Sequence, residues 1–258
     1  MRKVIDGSVY LSRKLLTKLP DFLSDVEVDG DFDCCNNYLT SLKGCPKAVE
    51  RIFYCQDNIS LTSLEGCPIT VGSDFICNNT SITSLKHAPR HIRGDFWCSD
   101  NKNLTSLIGA PKVIDGSFYC YNTNLTNLEG APDIIGKNFD CSCNNLTSLK
   151  GGPKIVRRFF SCENNKLLKS LKYAPETTIG SFYCAGCDLS DLIGAPEFIW
   201  GNFDCSRNPL LSLNGIPKAV NGTFTISAKL EKIFSRQYIN SLCKIGNRLE
   251  YQTEGDYI

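Results

Sequence analysis

Ten phenylalanines, Phe32, Phe53, Phe75, Phe96, Phe118, Phe139, Phe160, Phe182, Phe203 and Phe224, recur at intervals of 21 or 22 residues. A period of that length admits few folds. Each repeat is one supersecondary unit, too small to bury its own apolar face, so successive repeats must stack and share a core. Two residues after each phenylalanine comes Cys34, Cys55, Cys77, Cys98, Cys120, Cys141, Cys162, Cys184 or Cys205, and Ile226 fills the last slot. Val9 and Leu11 open the series. A leucine pair follows in register, from Leu39 and Leu42 to Leu210 and Leu213, with isoleucine once, at Ile82. A proline closes each repeat, from Pro46 to Pro217, seven residues before the next phenylalanine.

Residues i and i+2 of a strand share a face, so Phe and Cys both point inward and the residue between them points out. Parallel strands stack at ~4.8 Å, which leaves room beside each ring for a small apolar filler, and a buried cysteine is one. Nine of the 15 cysteines occupy this slot. Cys45 and Cys67 precede the proline where other repeats have alanine or glycine, and read as further small buried residues.

The phrase F-x-C-x-x-N-x-L-x-x-L resembles the leucine-rich repeat, with Asn37, Asn58, Asn101, Asn144, Asn165 and Asn208 in its asparagine slot. Thr80, Thr123 and Cys187 depart from that slot, as Phe does at the first apolar position and Cys at the second. The match covers residues 8 to 227. Within that family the short repeat is similar to bacterial effector repeats and to uncharacterised repeat proteins of phages and large viruses. The resemblance implies an α/β-type, strand-rich curved solenoid of about eleven coils with a parallel sheet on its concave face. It also implies a protein-binding module, with a phage- or pathogen-encoded inhibitor of a host defence protein as the nearest analogy.

The expected organisation is a single solenoid domain over 1–258: an N-terminal cap and first coil over 1–31 with an insertion around Phe22 and Leu23, repeats over 32–227, and a C-terminal helical cap and tail over 228–258. Leu230, Ile233, Phe234, Tyr238, Leu242 and Ile245 fall on one helical face, with Ser227 as expected N-cap and Gly246 as terminator.

Formal net charge is +1, so no global field draws the chain to nucleic acid or an anionic membrane. No apolar run approaches the ~18 residues of a membrane span, and MRKVIDGSVYLS lacks the apolar core of a secretory signal. The expected location is the cytoplasm, of the host if the chain is viral. Cys184-Ala185-Gly186-Cys187 spells CxxC, but both thiols already hold interior slots, and His87 and His91 fall in a turn around Pro89. With no assembled triad, phosphate loop or ligand set, the expectation is a non-enzyme with no cofactor and no metal.

The outward stripes carry the functional expectation. Tyr54, Ile76, Trp97 and Tyr119 follow the phenylalanine in four consecutive coils, with Tyr121 alongside and Tyr183 further on. Asp74, Asp95 and Asp140 share these stripes, which hold no lysine or arginine although the chain has 28 of them. An aromatic, acidic face suits a basic or amphipathic protein partner and disfavours a phosphate backbone. The competing site is a basic group, Lys150, Lys154, Arg157, Arg158, Lys166 and Lys169, in two adjacent coils, which suits nucleic acid or phosphate. A self-assembling structural role is the third alternative.

Overall fold

The computed structural model describes residues 3–253. The chain divides into two compact units, Met1–Leu125 with Glu129–Gly136, and Thr126–Leu128 with Lys137–Ile258. Each unit is a strand-rich parallel β-solenoid.

In the first unit the strands Phe32–Asp33, Phe53–Tyr54, Phe75–Ile76, Phe96–Trp97 and Phe118–Tyr119 pair in parallel, each phenylalanine in register with the next. Val9–Tyr10 joins the start of this ladder. In the second unit Phe139–Asp140, Phe160–Ser161, Phe182–Tyr183, Phe203–Asp204 and Phe224–Ser227 do the same. All ten phenylalanine side chains, and the nine cysteines two residues on, are fully buried, as are nearly all of the leucine pairs. The rings form a continuous column within each unit, with centroids 5.5 Å apart at Phe32 and Phe53 and 5.1 Å apart at Phe75 and Phe96.

Cysteine suits its slot for a reason beyond size. The backbone N–H of Cys77 and its thiol both donate to the Trp97 carbonyl of the next coil, at 2.9 and 3.3 Å. Cys34, Cys55 and Cys98 repeat this toward Tyr54, Ile76 and Tyr119. The asparagine slot ties coils together by side chain. Asn101 Nδ2 donates to Cys98 O at 2.8 Å in its own coil and to Cys77 O at 3.0 Å in the coil before, while its Oδ1 accepts from Thr80 N at 2.7 Å. Asn58, Asn165 and Asn208 make the same two donor contacts, while their Oδ1 atoms accept from Leu39, Leu146 and Leu189 N. Each amide thereby satisfies backbone groups that no strand partner reaches.

A second parallel ladder lies between proline and phenylalanine. Its strands, Ala48–Val49, Thr70–Val71 and His91–Ile92 in the first unit and Ile155–Val156 with Thr177–Thr178 in the second, are two residues long. Their second residues form a further buried column within each unit, Val49, Val71, Ile92, Ile114 and Ile135 in the first and Val156, Thr178, Ile199 and Val220 in the second. Two-residue strands leave no alternation long enough to read, so this column escapes a periodicity analysis.

The ends differ from expectation in part. Before the repeats, Asp21–Asp25 forms a 3₁₀ turn that buries Leu23 and leaves Phe22 exposed, and Lys3–Asp6 pairs with Val26–Asp29. At the other end the helix spans only Arg236–Leu242, capped by Ser235, whose side chain accepts from Tyr238 N. Ser227 Oγ instead accepts from Arg207 N, and Gly246 continues a coil by donating to Val220 O at 2.7 Å. Ile233, Tyr238 and Leu242 are exposed, while Ile239, outside the anticipated face, is fully buried. The chain here returns to the repeat: Lys244–Ile245 joins the second ladder and Leu249–Gln252 the first, with Leu249 in the phenylalanine slot. Burial against the last coil overrides local helical periodicity.

Candidate functional site

The phenylalanine strands of the first unit place Tyr54, Ile76, Trp97 and Tyr119 in one outward row, each in register with its neighbour. All four are half-buried, as is Tyr121. Trp97 and Tyr119 stack with centroids 3.9 Å apart and ring planes 29° from parallel, so the two rings hold each other in place. The anticipated residues Asp140 and Tyr183 belong to the second unit, where Tyr183 meets the Phe159 ring edge-on at 6.0 Å.

The acidic residues of these stripes have structural work that sequence reasoning missed. Asp74 Oδ1 accepts from Asp95 N at 2.7 Å, Asp95 Oδ1 from Ser117 N at 2.7 Å, and Asp31 Oδ1 from Ile52 N at 3.1 Å. In the second unit Ser181 Oγ and Asn202 Oδ1 do likewise for Asn202 N and Thr223 N. The row before each phenylalanine therefore favours a short side chain that can accept from the next coil. Asp33, Asp140 and Asp204, one residue after phenylalanine, each accept from the amide two residues on. Lysine and arginine can fill neither position, which accounts for much of their absence without a partner. The charge remains: burial, then Asp31 and Asp74, push the Tyr54 phenol up. Burial likewise raises Asp140, Glu163 and Asp204 in the second unit, and Asp204 and Asp140 add to the shift at Glu163.

Beside the aromatic row, an open groove of about 520 Å³ is lined by Gln56, Asp57, Asn78, Asn79, Asp100 and Lys102. Asp57, Asn79 and Asp100 of its lining belong, with Asn36 and Asn122, to another repeat column, all with left-handed φ between 50° and 60°. Asparagine and aspartate tolerate that conformation, and the doublets before the buried slot, such as Asn36-Asn37 and Asp57-Asn58, were its legible signal. Asp57 accepts from Asn36 at 3.3 Å and Asn79 at 2.9 Å, so the column is laced coil to coil. Gln56 Oε1, Asn78 Oδ1 and Ser99 Oγ, one residue after the cysteine in three successive coils, have no hydrogen-bond partner.

The basic group divides over two stretches. Lys150, Lys154, Arg157 and Arg158 flank the strand Ile155–Val156 of the second ladder, whereas Lys166 and Lys169 lie beyond the asparagine turn of the next coil, with Lys169 3.9 Å from Asp188. All six are exposed. The second ladder also displays a feature the sequence reading passed over: Ile179, Phe198 and Trp200, at 51, 56 and 65 % exposure in neighbouring coils of the second unit.

Burial makes the thiols of the interior cysteine column poor nucleophiles by pushing them up. Burial pushes Cys67 up to about 12, and Cys35 and Cys243 up to about 11. Cys187 Sγ donates to Cys162 O at 3.3 Å, in place of the ladder asparagine, and the side-chain interaction between the two thiols, then burial, pushes Cys162 up. Among the described residues no three His, Cys, Asp or Glu side chains group as metal ligands, and no helix is long and apolar enough to cross a membrane. His87 occupies a left-handed turn position, φ 69°, where Gly44, Gly66 and Gly109 stand in other coils. No family model, characterised protein or solved structure matches the chain.

Proposed function

We propose that this chain is a non-enzymatic protein-interaction module of the leucine-rich-repeat type, whose partner docks on the phenylalanine-strand face of the first unit. One observation carries this reading: Tyr54, Ile76, Trp97 and Tyr119 stand in an unbroken, half-exposed row on paired strands, two of them locked by stacking. Tyrosine and tryptophan dominate binding energy at protein interfaces, and rings already held in place lose little entropy on binding. The action would be occlusion of the partner's surface, which agrees with the analogy to host-directed inhibitors.

The test is capture from lysate of the source cells by tagged protein, comparing wild type, a Trp97→Asp, Tyr119→Asp double variant and Trp200→Asp, with folding checked by circular dichroism. The expected result is a protein retained by wild type and Trp200→Asp and lost from the double variant. Loss from Trp200→Asp alone would move the site to the second ladder. Equal retention by all three, with nucleic acid released at raised salt, would move it to the group around Arg157 and Arg158.

A further inference from the structure

The aromatic row runs between two rows of hydrogen-bond acceptors. On one side are Asp31, Asp74 and Asp95, each of which commits Oδ1 to a backbone amide. On the other is the groove, where the carboxylates of Asp57 and Asp100 stand with Lys102 beside them. Among the described residues no lysine or arginine forms an ion pair with Asp33, Asp57, Asp74 or Asp100. Asp31 has such a partner, Arg51, at 3.6 Å. The Tyr54 phenol reports the resulting field, raised after burial by Asp31, Asp74 and Asp33.

Charge complementarity asks for a cation, and the geometry asks for a particular one. The group must lie against aromatic rings and donate hydrogen bonds to both sides at once. An ammonium is a compact, strongly hydrated point charge that serves one cluster of acceptors. A guanidinium is planar, stacks on tryptophan and tyrosine, and carries five donors in its plane. The spacing matches an extended chain as well. The four coils from Tyr54 to Tyr119 span ~14 Å at ~4.8 Å per strand, and residues i to i+4 of an extended peptide span ~14 Å at ~3.4 Å per residue.

We propose that the partner presents an extended segment with arginines four residues apart, which runs across the coils and lays one guanidinium group against Tyr54 and the next against the stacked Trp97 and Tyr119, between the two acceptor rows. This rests on the docking face proposed above and specifies what that face reads.

Trp97 is the natural reporter, because the chain has only two tryptophans and Trp200→Phe removes the other. In that background, Trp97 emission is titrated with a synthetic glycine peptide carrying arginines four residues apart, and with counterparts carrying lysine or the neutral isostere citrulline. The arginine peptide is expected to give a saturable change with a Kd at least about tenfold below that of the lysine peptide, and the citrulline peptide none. An Asp57→Asn, Asp100→Asn pair, which keeps the amide-compatible turn, is expected to raise the arginine Kd about tenfold. Equal affinity for arginine and lysine, or no saturable change with arginine, overturns the assignment. The outcomes separate from those of the capture experiment. If capture depends on Trp97 and Tyr119 while the arginine preference is absent, the docking face stands and its arginine specificity falls. If the arginine peptide binds selectively while capture ignores the face, the site is real and the protein-partner reading falls.

Discussion

Thr178 sits at 2 % exposure in the second ladder's inner column, where Val49, Val71, Ile92, Ile114, Ile135, Val156, Ile199 and Val220 stand in the other coils. Its backbone runs in register with Val156 of the preceding coil, and its Oγ1 is buried without a hydrogen-bond partner. Replacing it with valine exchanges that hydroxyl for a methyl of nearly the same volume. An unsatisfied buried hydroxyl costs about 1–3 kcal/mol, and a buried methyl group adds about 0.8 kcal/mol. Both contributions favour Thr178→Val, and the lower end of the sum is about 1.8 kcal/mol. In a chain of this size that corresponds to a rise in Tm of about 4–7 °C. Urea unfolding followed by far-UV circular dichroism measures it as a shift of midpoint at constant slope. Thr178→Ser, which keeps the hydroxyl and loses the methyl, is expected to be less stable than wild type. A Thr178→Val midpoint equal to or below wild type would mean that the hydroxyl is satisfied, and would refute the reasoning.

Asn101→Leu removes a side chain that donates to Cys77 O and Cys98 O and accepts from Thr80 N, so it takes a partner from three buried backbone groups, of which Cys77 O keeps Thr80 Oγ1 at 3.4 Å; a loss of about 3 kcal/mol in urea unfolding is expected. Asp204→Asn keeps an oxygen for Ser206 N but removes a buried carboxylate whose folded pKa burial raises. Ionised Asp204 therefore disfavours the fold above its folded pKa, and the disadvantage fades as pH falls toward its unfolded value of ~3.9. The variant is expected to be more stable than wild type at pH 7 and indistinguishable from it near pH 3, read from thermal melts at both values. A thiol reagent under native conditions is expected to label Cys143, which is exposed, at once and the fully buried cysteine column only after denaturant is added, as followed by mass spectrometry.

Much of this protein was legible before any coordinates. A bulky residue at i and a small one at i+2, repeated every 21 or 22 positions, can bury both only on stacked parallel strands, and all ten phenylalanines and nine cysteines lie where that logic puts them. The aromatic row was legible for the same reason, since the residue between two inward side chains must face out. Three features came only with the tertiary structure. The second ladder is built from two-residue strands whose single buried aliphatic carries no periodicity of its own. The aspartates that suggested a charged surface turn out to hold amides of the next coil, a contact between residues 21 or 22 apart that no local pattern expresses. The C-terminal segment has the spacing of a long helix, yet it spends only Arg236–Leu242 on one and then returns to the ladders, because a coil laid on Phe224 and Val220 pairs an otherwise open strand edge. Short-range spacing determines which side chains face the core; only the stacked neighbour decides what the remaining polar groups bond to.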